Sequence, residues 1–150
     1  MDLILWRHAD AEAGALDLDR RLTAKGVKQA ERVGAWLDKH LPAGCRILVS
    51  PAERAKQTAA PLKRKCKIVP ELAPGAGVEA ILDAAGWPDA ATPALVVGHQ
   101  PCLGEVAAFL VSGKASPWSI RKGGVWWLAS RERGGDSSVI VKVVIGPDFV

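Results

Sequence analysis

Cysteine is scarce and poorly placed for cross-linking. Cys45, Cys66 and Cys102 are odd in number, far apart and without a Cys-x-x-Cys pair, so neither a disulfide framework nor a zinc ribbon is expected. The histidines His8, His40 and His99 are too scattered for a compact metal motif. Long hydrophobic runs are missing as well. Stretches such as Leu3–Trp6 and Ala94–Val97 fall far short of the ~20 residues a membrane-spanning helix needs. The first residues, Met1-Asp2-Leu3-Ile4-Leu5-Trp6-Arg7, carry no basic leader and no small-residue cleavage site, which argues against export by a standard signal. The charge excess is small, +4 from 20 basic and 16 acidic residues. Interspersed in this way it does not imply nucleic acid, although it suits an anionic substrate. What remains is a reduced, cytoplasmic protein with no membrane association, its 150 residues forming one domain over 1–150.

Hydrophobic residues at 49% and charged residues at 24% are an ordinary globular balance. Short apolar runs alternate with longer amphipathic stretches, the pattern of an α/β protein. Strands are expected at Leu3–Trp6, Arg46–Val49, Lys67–Val69 and Ala94–Val97. Thr23 reads as the N-cap of a helix whose buried face is Val27, Ala30, Gly34, Leu37 and Leu41. A second helix is expected from Ala52 to about Lys65, kinked at Pro61 because proline lacks the N–H. A third spans Val78–Ala85, stopped by Gly86. A fourth has Pro101 in its first turn and closes at Ser112-Gly113. Beyond Gly113 the pattern becomes strand-like, Val125–Ala129 and Val139–Ile145 around Arg133-Gly134-Gly135-Asp136, with Gly123-Gly124 as a turn. Trp126 and Trp127 should pack on opposite faces of their strand. The expected architecture is a mostly parallel sheet with helices on both faces and an antiparallel pair near the C-terminus.

Chemistry gathers where strands end. Leu3–Trp6 runs into Arg7-His8, Ile47–Val49 into Ser50-Pro51-Ala52-Glu53-Arg54, and Leu95–Val97 into Gly98-His99-Gln100-Pro101. Ligands of open α/β sheets bind outside the carboxyl ends of the strands, and two of these places also begin helices, whose free N–H groups favour anions. Taken singly, an arginine there is ordinarily a salt-bridge partner and a histidine a cap. Three strand ends with the same chemistry instead describe a site for a tetrahedral oxyanion, because arginine grips phosphate bidentately and keeps its charge.

Competing motifs fail. Asp17-Leu18-Asp19 follows no strand, no cysteine has arginine six positions on, and Gly75-Ala76-Gly77 follows a proline-bounded loop. There is no Gly-x-Ser-x-Gly elbow or Walker loop. Cys102, at a helix start, reads as packing rather than a reactive thiol.

Four segments in order carry a resemblance: Arg7-His8; Asp17-x-x-Arg20-x-Leu22-Thr23-x-x-Gly26; Ser50-Pro51-x-x-Arg54-Ala55-x-Gln57-Thr58; and Val96-Val97-Gly98-His99-x-Pro101. They look like the histidine phosphatase superfamily, whose fold is phosphoglycerate mutase-like, and within it the small, lid-less phosphohistidine phosphatases of the SixA type. The resemblance implies that His8 is the phosphate-accepting nucleophile. It implies that Arg7, Arg20 and Arg54 bind the phosphoryl oxygens, and that His99, as an imidazolium, completes the pocket. It further implies a phosphorylated protein as partner and no metal or cofactor. The family usually has glycine after the first histidine, where this chain has Ala9. For the general acid, Asp17 is the candidate by motif position, with Glu53 a further one. A phosphatase of small phosphomonoesters and a non-catalytic phosphate-binding module are the rival readings.

Overall fold

The computed structural model describes residues 1–150. Ten elements build it: β1 (Asp2–Arg7), α1 (Ala24–His40), β2 (Arg46–Val49), α2 (Glu53–Ala59), β3 (Cys66–Ile68), α3 (Val78–Ala85), β4 (Ala94–Gly98), α4 (Cys102–Ser112), β5 (Val125–Arg133) and β6 (Asp136–Ile145). The six strands form one sheet in the order β3-β2-β4-β1-β5-β6. β1 to β4 run parallel, and β5 and β6 are antiparallel.

Alternation along the strands feeds two cores. Leu3, Leu5, Leu48, Val96 and Leu128 face α3 and α4, against Ile81, Leu103 and Val106. Ile4, Trp6, Ile47, Val49, Leu95 and Val97 face α1 and α2, against Val33, Leu37, Ala55 and Ala59. A parallel strand covered on both faces must be apolar throughout, which is why these segments read as unbroken hydrophobic runs. Trp126 packs with the first core and Trp127 with the second, so the pair does straddle the sheet.

The structure differs from the sequence expectation at five places. The second helix is shorter: α2 ends at Ala59, tightens into a 3₁₀ turn at Ala60–Leu62 and stops at Lys63, with φ 53°. The ring of Pro61 reaches Gly34 of α1, where a Cβ would lie only 3.0 Å away. β3 is Cys66–Ile68 rather than Lys67–Val69. The buried stripe of α1 is Gly26, Ala30, Val33, Gly34 and Leu37, while Val27 is exposed. The terminal hairpin is longer than its apolar runs, because Gly134 and Gly135, at φ 57° and 89°, close a two-residue turn between polar strand ends. Pro101 sits at the N-cap of α4 rather than inside its first turn.

Candidate active site

β1, β2 and β4 end side by side, and their hydrogen-bond ladder continues past the strands to fix the residues that follow. The His8 N–H donates to the Gly98 carbonyl (3.0 Å), and the His8 carbonyl accepts from Gly123 N–H (3.1 Å). Gly123 has φ +71°, a conformation suited to glycine, so the turn predicted at Gly123-Gly124 clamps the second side of His8. Ser50 N–H likewise donates to Val97 (3.0 Å). His8 and His99 thereby face each other with ring centroids 5.2 Å apart.

A cleft of about 330 Å³ opens there. Arg7, His8, Ala11, Asp17, Arg20, Arg54, Pro74, His99, Gln100 and Lys122 line it. Arg7, His8, Asp17, Arg20, Arg54 and His99, all expected from the sequence, meet there. Four permanent cations against one carboxylate focus a positive potential in the cleft. Glu53, by contrast, is not part of it: its carboxylate lies 3.7 Å from Arg21.

His8 is arranged as a neutral base. Its Nδ1 lies 2.7 Å from the Ala9 carbonyl. A carbonyl only accepts, so Nδ1 carries the proton and Nε2 keeps its lone pair. Arg54 Nε points at that Nε2, at 3.4 Å. Burial first, and then Arg54, Arg7 and Arg20, pull the His8 pKa down to about 4. Nε2 of His8 is therefore unprotonated at neutral pH.

His99 departs from expectation. Burial first, then His8 and Arg54, push its pKa down to about 3, so it is neutral and not an imidazolium in the ligand-free cleft. Its Nε2 lies 2.7 Å from Ser50 Oγ, which already accepts from Ala52 N–H at 3.2 Å. The Ser50 hydroxyl can give its own proton to Nε2, and in that tautomer His99 carries its hydrogen on Nδ1. That Nδ1 and Arg7 Nε are buried without a partner. Unpaired buried polar groups cost free energy comparable to a lost hydrogen bond, and both residues line the cleft.

Arg7 anchors through Nη1 on the Ile120 carbonyl (2.8 Å). Arg54 is buried, with Nη1 2.7 Å from the Asp17 carbonyl and Nη2 3.1 Å from its carboxylate. Arg20 holds the other oxygen of Asp17 at 3.1 Å and the Glu12 carbonyl at 2.7 Å. Asp17 is therefore not placed as the expected proton donor. Hydrogen bonds from Arg20 and Arg54 hold its carboxyl below the usual carboxylate range, ionised and with no proton to give.

The remaining motif residues support the site. Thr58 Oγ1 accepts from Ala9 N–H (3.0 Å) and donates to the Arg54 carbonyl (2.7 Å), tying the residue after His8 to the arginine's helix. Gln57 accepts from Leu22 N–H at 2.7 Å, and Thr23 caps α1 through Gly26 N–H at 3.0 Å. Ala9 is accommodated: Lys63 alone among non-glycine residues has positive φ. Ala9 itself is buried with Leu22 and Ala30. Sequence reasoning missed Ser50 and Thr58 as partners of the chemistry, although both lie in the third motif. It also missed Lys122, which lines the cleft while donating to Asp10 at 2.9 Å. Lys122 lies in a stretch with no periodic signal.

Comparison with known proteins agrees with this geometry. The family model described as histidine phosphatase superfamily (branch 1) matches residues 3–76, which include Arg7, His8, Arg20 and Arg54. The phosphohistidine phosphatase SixA of Escherichia coli K12 is 30% identical over 126 residues, covering 78% of each chain. An uncharacterised Mycobacterium tuberculosis protein is 37% identical over 113 residues, covering 71% of this chain and 70% of that one. Among solved structures, one from Nakamurella multipartita assigned as SixA superposes with a TM-score of 0.81 at 31% identity, covering 97% and 95% of the two chains. A SixA complexed with tungstate gives 0.79 at 25% identity, covering 99% and 98%. With these relatives, this fold and this cleft, the chain belongs to the histidine phosphatase superfamily.

Proposed function

We propose that this protein is a phosphohistidine phosphatase that removes the phosphoryl group from a phosphorylated protein. The observation that carries the reading is His8: a neutral imidazole with its proton locked on Nδ1 and its free Nε2 facing an arginine-lined cleft. The relation to SixA, one structure of which holds tungstate, supports an oxyanion in the same place.

The mechanism has two steps. His8 Nε2 attacks phosphorus in line, the P–N bond of the substrate phosphohistidine breaks, and the departing imidazole takes a proton. Water then attacks the phosphoryl group on His8, releasing inorganic phosphate and restoring the free imidazole. Arg7, Arg20 and Arg54 stabilise the equatorial oxygens. His99 donates through Nδ1, and the arriving dianion raises its affinity for a second proton. The arginines supply the charge that a metal ion would otherwise provide, so neither step is routed through one.

Leaving-group chemistry favours phosphohistidine over phosphate esters. An imidazole with a pKa of ~6.5 can leave protonated near neutral pH without a dedicated donor. An alkoxide needs a proton in the transition state, help typically worth ~10²–10⁴-fold, and the one carboxylate in the cleft is held ionised. The test pairs substrates with trapping. A phosphohistidine protein and an aryl phosphate should turn over much faster than phosphoserine or sugar phosphates. Acid-labile, base-stable phosphate should accumulate on His8, and His8→Ala should abolish turnover. Comparable kcat/KM on alkyl phosphates would promote the small-molecule reading. Activity surviving in His8→Ala would remove the covalent mechanism.

A further inference from the structure

Asp17 sits inside the phosphate cleft yet has no part in the two-step reaction, and its surroundings describe a different role. Arg54 is a buried arginine whose side chain is 5% exposed, whereas the Asp17 carboxylate is 55% exposed. Asp17 nevertheless receives two hydrogen bonds from Arg54, one to its carbonyl and one to Oδ2, and a third from Arg20 to Oδ1. One carboxylate therefore bridges two of the three arginines that face the cleft. It stands where negative oxygens of a bound phosphoryl group would be expected.

Little else holds Asp17 there. It begins a 3₁₀ turn, Asp17–Asp19, that has no buried residue. The turn is the tip of an excursion closed at its base by the Ala11–Leu22 bridge and by Glu12 N–H on the Arg21 carbonyl (2.8 Å). Every residue from Glu12 to Asp19 is exposed, Leu16 and Leu18 among them. The tip is fixed by charge rather than by packing.

We infer that Asp17 is the resident anion of the cleft: it holds Arg54 and Arg20 in place while the site is empty, and an incoming phosphoryl group displaces it. The inference rests on the oxyanion reading of the cleft. A site whose competent form is only fractionally populated shows an apparent affinity reduced by that fraction. The internal carboxylate thus weakens binding of every phosphate oxyanion, and inorganic phosphate leaves readily after each turnover. Neutralising Asp17 should tighten oxyanion binding, the opposite of what removing a positioning or proton-donating residue would do.

Calorimetric titration of the intact protein with tungstate and with inorganic phosphate tests this, without recourse to turnover. Asp17→Asn keeps the side chain's shape and removes its charge. It should bind both ions about tenfold more tightly, the effect of a carboxylate-held state favoured about ten to one. KM for an aryl phosphate should fall in parallel, and product inhibition by phosphate should strengthen. Asp19→Asn, on the same turn but without an arginine partner, should shift binding less than about twofold, within the reach of a surface charge. Weaker oxyanion binding in Asp17→Asn would make Asp17 a positioning residue and overturn the inference. Unchanged binding with a fall in kcat confined to alkyl esters would make it a proton donor and overturn it too. Equal tightening in Asp19→Asn would reduce the effect to net charge. If neither wild type nor variant binds tungstate, the oxyanion reading itself fails and the inference falls with it.

Discussion

Gly26→Ala exposes the link between the helix that begins at Ala24 and the backbone that follows His8. By helix propensity alone the change should stabilise, since alanine is favoured over glycine in a helix by roughly 1 kcal/mol. The tertiary structure reverses the sign. A Cβ at Gly26 would overlap the Asp10 carbonyl oxygen and lie 2.9 Å from Asp10 C and 3.1 Å from Asp10 N. These are backbone atoms with no rotamer to escape into. The same Asp10 carbonyl accepts from Thr23 N–H at 3.0 Å, so the start of α1 and the Ala9–Asp10 backbone must part together. Overpacking of this kind costs about 1–3 kcal/mol, more than the propensity gain offsets. A chain of this length should lose roughly 2–4 °C in Tm for each kcal/mol. The displaced backbone carries the Ala9 carbonyl that fixes the His8 tautomer. A shift of about 1 Å there is expected to lower kcat/KM on the order of 10²-fold. Calorimetry and aryl phosphate turnover on the same preparation check both figures. A variant with unchanged or raised Tm and kcat/KM within about twofold of wild type would refute the reasoning.

Two further outcomes follow from the charge arrangement. His8 and His99 have folded pKa values of about 4 and about 3, below the ordinary value of ~6.5. The unfolded chain therefore binds more protons in that range, and stability should fall as pH drops from ~6.5 towards 4, with on the order of 3 kcal/mol at stake for each histidine. NMR titration of the ring nitrogens should find both neutral at pH 6, and a midpoint near 6.5 for either would contradict it. Turnover should also survive a strong chelator, while vanadate and tungstate inhibit competitively. Activity lost on chelation and restored by a divalent ion would show that the arginines do not suffice.

Much of this protein is legible in its residue order, because the signals are local. Buried parallel strands such as Leu3–Trp6 and Ala94–Val97 must be apolar on both faces, and a cationic or imidazole residue directly after such a strand falls at the ligand-binding edge of the sheet. Arg7, His8 and His99 were readable for that reason, Arg54 because its helix starts just beyond the second strand, and Thr23 announced its helix through a cap that needs only the next three residues. Contacts between segments distant in sequence were decided by the tertiary structure alone. The first strand lies beside the fourth, not the second, and this sets the two histidine rings 5.2 Å apart. Burial among arginines makes His99 neutral rather than cationic, and two of those arginines turn Asp17 from a candidate acid into a bound anion. Protonation depends on how much water and which charges surround a group once the chain has folded. Residue type and spacing leave that open, and it is what assigns chemical roles within this cleft.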